Sequence, residues 1–168
     1  MLKNTYLKLR EMNKMKIYLA GPCDSENRTT MMTIAERLRH EYQFEIYCPW
    51  ELKIEDAWSI SQENWSAEVF WKDVEAIDAC DVFLMISMGR KSTAGTNWEQ
   101  GYAFAKKKVI YVIQITDKPT SLMTFCGCTH FWNTSKKSLY KLMDEVINTI
   151  NDPTLLLYQH KHCETILT

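Results

Sequence analysis

The chain has 168 residues, 46% of them hydrophobic, which fits one domain around one core and leaves little for a second. Its 20 Lys and Arg against 21 Asp and Glu give a net charge of −1, and their interleaving creates no field to draw polymeric nucleic acid or an anionic membrane. No run of about 18 apolar residues spans a bilayer and the amino terminus lacks the apolar heart of a secretory signal, so a cytoplasmic protein acting on small molecules is expected.

Residues 1–14 place Lys3, Lys8, Arg10 and Lys14 among Leu2, Tyr6, Leu7 and Leu9. This weakly amphipathic extension reads equally as a docked helix or a frayed leader. Lys16-Ile17-Tyr18-Leu19-Ala20 is the first clear strand. Gly21-Pro22 and a polar loop over 23–27 lead to a helical pattern over 29–42, in which Ile34, Leu38 and Tyr42 recur four apart. Residues 44–48 read as a second strand ended by Pro49, 50–61 as a Trp-bearing loop, and 62–79 as a second helix.

Val82-Phe83-Leu84-Met85-Ile86 is continuously apolar, as a central parallel strand covered on both faces should be. After it, 89–95 reads as a flexible polar loop and 97–107 as a helix. Val109-Ile110-Tyr111-Val112-Ile113 is another buried strand, followed by a short strand at 129–132 and a last helix at 135–150. The alternation predicts one α/β domain over 15–150, with about five parallel strands and helices on both faces. Residues 151–168 form a tail whose Leu155-Leu156-Leu157-Tyr158 is expected to dock. Cys23, Cys48, Cys80, Cys126, Cys128 and Cys163 show neither a C-x-x-C pair nor a disulfide framework, and read as reduced thiols, mostly core filler.

Ligands of open parallel sheets bind at the carboxyl ends of the strands, which selects the loops at 21–27, 87–96 and 115–125. The second of these runs into Thr96-Asn97-Trp98-Glu99. Its local reading is a capping box, with Thr96 capping the helix and Glu99 reaching back to its amide. The chemical reading is compatible: a carboxylate in the first helical turn is held rigidly and kept ionised by the helix N-terminus, which suits a nucleophile.

Lys16-Ile17-Tyr18-Leu19-Ala20-Gly21-Pro22, then Asp73, then Ala79-Cys80-Asp81-Val82, then Gly95-Thr96-x-x-Glu99-x-Gly101-Tyr102-Ala103 resemble, in order and spacing, the nucleoside 2-deoxyribosyltransferases. The resemblance runs from about residue 16 to 125. It implies a flavodoxin-like (Rossmann-like) fold, no metal or organic cofactor, and transfer of a sugar through a glycosyl-enzyme ester. It also implies a homodimer or higher homo-oligomer whose sites are completed by a neighbouring subunit. By the same resemblance Glu99 is the nucleophile, Asp73 binds and protonates the base, and the Tyr18 hydroxyl lies near the nucleophile. Gly21, Pro22, Asp24, Thr93, Gly95, Thr96, Ser121 and Met123 then surround a nucleoside or nucleotide. The chemistry agrees, because cleaving an N-glycosidic bond builds positive charge on the sugar and negative charge on the base.

The sequence departs from the family at Thr93, where the transferases usually carry an aspartate. The related 2'-deoxynucleoside 5'-monophosphate N-hydrolases have a phosphate-binding serine there and a second from a neighbouring subunit, which Ser121 resembles. Their first loop, however, carries a serine and an arginine where this chain has Cys23-Asp24, leaving Arg28, Arg90 or Lys91 as substitutes. Both substrate classes therefore stand. A nucleotide sensor without turnover and an NAD or ADP-ribose glycosidase are the competing classes.

Other features have local readings. Asp78 reads as a solvated charge and Asp81 as an anchor at its strand's amino end. Trp50, Trp58, Trp65 and Trp71 read as core or dimer packing, with Trp58 and Trp65 on one helical stripe and base stacking as the sharper alternative. His160-Lys161-His162-Cys163 lacks the spacing for a metal on one helix face. Gly89-Arg90-Lys91-Ser92 lacks the glycines of a phosphate loop. Lys106-Lys107-Lys108 reads as cations at the carboxyl end of their own helix.

Overall fold

A computed structural model describes residues 14–152 except 56, 136 and 137. The expectations for 1–13, for the tail beyond 152 and for His160-Lys161-His162-Cys163 lie outside the described residues.

Five parallel strands, β1 (Lys16–Ala20), β2 (Glu45–Tyr47), β3 (Val82–Ser87), β4 (Val109–Gln114) and β5 (His130–Asn133), form one sheet in the order β2-β1-β3-β4-β5. This is the flavodoxin-like winding, whose strand order reverses between β1 and β3. Five α-helices connect and close it: α1 (Ser25–His40), α2 (Gln62–Ala79), α3 (Ala94–Ala105), α4 (Leu122–Cys126) and α5 (Leu139–Asn151). Alternation along the strands divides the core. Ile17, Leu19, Leu84 and Ile86 pack with α1 and α5 residues such as Leu38 and Met143 on one face. Tyr18, Ala20, Phe83 and Met85 pack with Ile77 of α2 and Ala103 of α3 on the other. Every residue of β3 and β4 is buried, as their unbroken apolar runs predict.

Several boundaries differ from the sequence reading, and side-chain caps account for those around α1 and α3. Helix α1 begins at Ser25 because the Asp24 carboxylate accepts the Asn27 amide at 3.0 Å. The segment after β3 is an ordered turn, not a flexible loop. Ser87 and Ser92 hydroxyls accept the Gly89 and Met88 amides at 3.1 and 3.0 Å. Gly89 has φ 63°, and a Cβ there would lie 2.9 Å from the Lys118 and Pro119 carbonyl oxygens. Helix α3 therefore starts one turn earlier than 97, with Thr93 as its N-cap. The loop after β4 contains α4, whose five residues carry too little periodicity to be read from sequence.

Asp81 anchors the sheet as expected, accepting the Lys16 amide at 2.8 Å. Asp78 is exposed and pairs with Lys106 at 3.0 Å, which together with the Tyr102 hydroxyl holds its carboxyl below the usual range. Lys108 closes its own helix only through its backbone amide, which donates to the Ala103 carbonyl at 3.0 Å; its ammonium instead donates to the Asp78 and Cys80 carbonyls at 2.7 and 2.9 Å and closes the carboxyl end of α2. Cys48, Cys80 and Cys128 are buried, whereas Cys23 is exposed, and all the described cysteines are free thiols. Among the described residues no helix is long and apolar enough to cross a membrane.

Candidate active site

Parallel pairing sets Tyr18 of β1 opposite Tyr47 of β2 and Phe83 of β3. The three rings stack across the strands, each adjacent pair with centroids 5.3 Å apart. A ladder of this kind holds the two tyrosine hydroxyls in fixed positions on the α2/α3 face. The Tyr47 hydroxyl donates to Asp73 Oδ1 at 2.8 Å. The Tyr18 hydroxyl is fully buried and has no hydrogen-bond partner at standard distance among the described residues, yet it faces Glu99 closely enough to hold the Glu99 carboxyl down.

Glu99 reaches this point from the second turn of α3, so the capping-box reading fails. Thr93, not Thr96, caps the helix, and the Glu99 carboxylate lies against Tyr18 instead of the helix amides. The electrostatic expectation reverses with it. Burial, then the nearby Asp73 charge, push the Glu99 carboxyl up to about 7 from 4.5 despite the Tyr18 hydroxyl. Burial likewise raises Asp73, against the Tyr47 hydrogen bond that lowers it. Two carboxylates this close titrate as a pair. Between the two steps the pair holds one proton, which rests mainly on Glu99, the more strongly raised of the two; the reaction draws on the tautomer with that proton on Asp73, which pairs a carboxylate nucleophile with a carboxylic acid.

Asp73 and Glu99 share a cleft of about 390 Å³ with Trp65, Ser66, Val69, Phe70, Gly95 and Trp98. Its described lining is aromatic and acidic and includes no basic side chain. The tryptophans of this region are not core. Trp65 is 38% exposed, Trp71 60% and Trp58 102%, and Trp58 stands in the loop before α2 instead of on a helical stripe with Trp65. Trp98, 47% exposed, stacks on Tyr102 at 5.4 Å and touches Phe70 at 5.2 Å, extending the aromatic wall outward. Only Trp50 packs inward, its indole donating to the Pro22 carbonyl at 2.9 Å while Arg28 lies over its ring.

The remaining sequence candidates separate into groups. Gly95 lines the cleft, and a Cβ there would meet nothing within 4 Å. Asp24 directs its carboxylate to its own helix, taking both Asn27 Nδ2 contacts at 2.8 Å, but its charge still acts on Cys23. Thr96 is buried, and its hydroxyl donates to the Gly21 carbonyl at 3.0 Å. Thr93 Oγ1 lies 2.8 Å from Thr96 Oγ1. Since the single Thr96 proton goes to Gly21, the proton between the two threonines belongs to Thr93. Ser121 and Met123 line a separate groove between α3 and α4, with Asn97, Gln100 and Phe104. A single chain does not bring them to the Asp73–Glu99 cleft.

Sequence reasoning missed Tyr47, Cys23 and Trp98. Tyr47 was legible only through strand register, which pairs it with Tyr18. Cys23 faces the site after β1, where burial and the charges of Glu99 and Asp73 raise its thiol. Among the described residues no cluster of three His, Cys, Asp or Glu side chains is placed to hold a metal ion.

A family model described as nucleoside 2-deoxyribosyltransferase matches residues 17–149. No curated protein matches the chain significantly. Solved structures with the same fold include a 2-deoxyribosyltransferase of Bacillus psychrosaccharolyticus, 24% identical with TM-score 0.60, over 74% of this chain and 89% of that one. A conserved protein of Enterococcus faecalis V583 is 19% identical with TM-score 0.63, over 80% and 99% of the two chains. A CMP N-glycosidase of Clostridium botulinum is 16% identical with TM-score 0.54, over 77% and 98%.

Proposed function

Because the chain belongs to the nucleoside 2-deoxyribosyltransferase family, we propose that it cleaves the N-glycosidic bond of 2'-deoxynucleosides and passes the sugar to a second base or to water. The observation that carries this reading is the placement of Glu99 and Asp73 in one aromatic cleft, with a tyrosine hydroxyl assigned to each.

In the proposed reaction the Glu99 carboxylate attacks the anomeric carbon and the carbon–nitrogen bond breaks. The bonding pair leaves on the base, which takes the Asp73 proton. The product is a glycosyl ester on Glu99. A second base or a water, giving its N–H or O–H proton to Asp73, then attacks the same carbon and expels the carboxylate. The Tyr18 hydroxyl faces that carboxylate and favours its charged form as it leaves. Trp65, Phe70 and Trp98 supply ring faces for the base.

An uncharged sugar end is favoured over a 5'-phosphate by two observations. The cleft lining includes no basic side chain among the described residues, and the Thr93 hydroxyl proton is committed to Thr96, so it is not free to donate to phosphate. Arg28, one of the substitutes for the missing first-loop arginine, lies over Trp50. Specificity constants for deoxycytidine, deoxyadenosine and their 5'-monophosphates, with and without an acceptor base, test the reading. Base release from nucleosides at tenfold or greater preference is expected. A monophosphate preference would transfer the assignment to the N-hydrolase branch, and release from neither would leave a binding protein.

A further inference from the structure

Helix α3 meets the first strand and its loop at two places. Glu99 lies against Tyr18, and one turn earlier Thr96 bonds to Gly21, the residue after β1 ends. Residues three apart share a helix face, so the two contacts act along one line. Both contacts are to the strand paired with β3 and its following residue, at the point where the strand order reverses. It is the place in the fold where a helix from one half of the sheet has to be located against a strand from the other.

We propose that Thr96 is a positioning residue for Glu99, its buried hydroxyl fixing α3 to the Gly21 carbonyl so that the carboxylate stands at a set distance from Tyr18 and Asp73. The connection is a two-bond relay with a single proton direction, Thr93 to Thr96 to Gly21. Thr93 holds both ends of the first step, because its Oγ1 also accepts the Thr96 amide at 3.3 Å. On the other flank Gln100 donates to the Thr124 carbonyl at 2.9 Å and ties α3 to α4. The helix is thus clamped on both sides of the nucleophile, and only the Thr96 clamp reaches the strand that carries Tyr18. Thr96 and Gly21, placed around the substrate by the family resemblance, here bond to each other.

This inference rests on Glu99 being the nucleophile. It makes a kinetic distinction that a purely structural threonine does not. Loosening α3 lets water reach Glu99 and moves it from Asp73. The titratable groups interacting with it are Tyr18 on β1, Tyr47 on β2, Asp73 on α2 and Cys23 in the first loop, none of which carries positive charge. Hydration and separation from these groups lower the upper step of the carboxylate pair.

The test compares Thr96→Val and Thr96→Ser with the unaltered protein in deoxynucleoside cleavage, alongside melting temperature and Glu99→Ala. Thr96→Val is expected to lower kcat by on the order of 10²-fold, the scale of a misplacement of about 1 Å, with little change in KM. The alkaline limb of its pH profile moves to lower pH, and Thr96→Ser restores both. Thr96→Ala, a better helix former, carries the same expectation should the valine variant not fold. A folded Thr96→Val or Thr96→Ala with unaltered kcat and alkaline limb overturns the positioning role while Glu99→Ala is still inactive. Full turnover in Glu99→Ala overturns the nucleophile reading instead.

Discussion

Tyr18 and Tyr47 stack in register on adjacent strands and aim their hydroxyls at different carboxylates, Tyr47 at Asp73 and Tyr18 at Glu99. Burial and the neighbouring acids push both phenols well above their ordinary range, so both remain donors across the whole working pH range. Asp73 therefore has a hydrogen-bonded donor, and Glu99 a buried hydroxyl facing it from beyond standard hydrogen-bond distance.

The pH dependence of kcat/KM follows from the pair. The productive state holds one proton, so the profile is expected to be bell-shaped. Its alkaline limb lies near 7, where the pair loses that proton. Tyr47→Phe keeps the ring stack but removes the hydrogen bond that lowers Asp73. The acid limb should then move to higher pH by about one to two units, since such a bond contributes about 1.5–3 kcal/mol. An unmoved acid limb in a folded Tyr47→Phe would separate Asp73 from the chemistry.

The raised Glu99 carboxyl also sets a stability trend. Its folded value of about 7 exceeds the ordinary 4.5, so the folded state holds the proton more tightly. The contribution is fully present below 4.5 and lost as the pH rises through about 7. Glu99→Gln is expected to match the parent near pH 4 and to be more stable at pH 8. The gain is at most about 3 kcal/mol, because solvent screens a partly exposed carboxylate. Thermal melts across that range check the sign. A loss of stability at pH 8 would return Glu99 to a structural role.

The aromatic wall should act on binding before chemistry. Trp98→Ala or Trp65→Ala removes a ring face from the cleft, and stacking of a base contributes about 1–3 kcal/mol. KM for deoxynucleosides should rise about tenfold or more in either variant. Trp71→Ala, which does not line the cleft, serves as the control. Equal effects in all three variants would mean that the wall is an interface between proteins.

The strand pattern made the sheet legible, because β3 and β4 carry unbroken apolar runs, and the ordered motifs singled out Glu99, Asp73 and Tyr18, which the fold brings together. The start of α3 was misread for a physical reason: Thr93 and Thr96 are both competent caps, and the choice between them is made by Gly21, 75 residues away from Thr96 in sequence. The ionisation of Glu99 was misread with it. Proximity to a helix N-terminus predicts a lowered value, whereas burial beside Asp73 dominates, and burial is set by tertiary packing. Tyr47 was hidden because strand pairing is not written in either strand alone. Trp50, Trp58, Trp65 and Trp71 read as core or dimer packing, with base stacking as the sharper alternative; of these only Trp65 lines the cleft, because hydrophobicity alone does not say whether an aromatic ring faces the core or a pocket.

Covalent trapping tests the central claim most directly. Incubation with a 2-deoxy-2-fluoro-arabinosyl nucleoside should release its base and leave the fluorosugar as an ester, because the fluorine destabilises the charged transition state of turnover. Peptide mass analysis is expected to find the adduct on Glu99, and an added acceptor base should discharge it. An adduct on another residue, or steady base release with Glu99 never modified, would contradict the account.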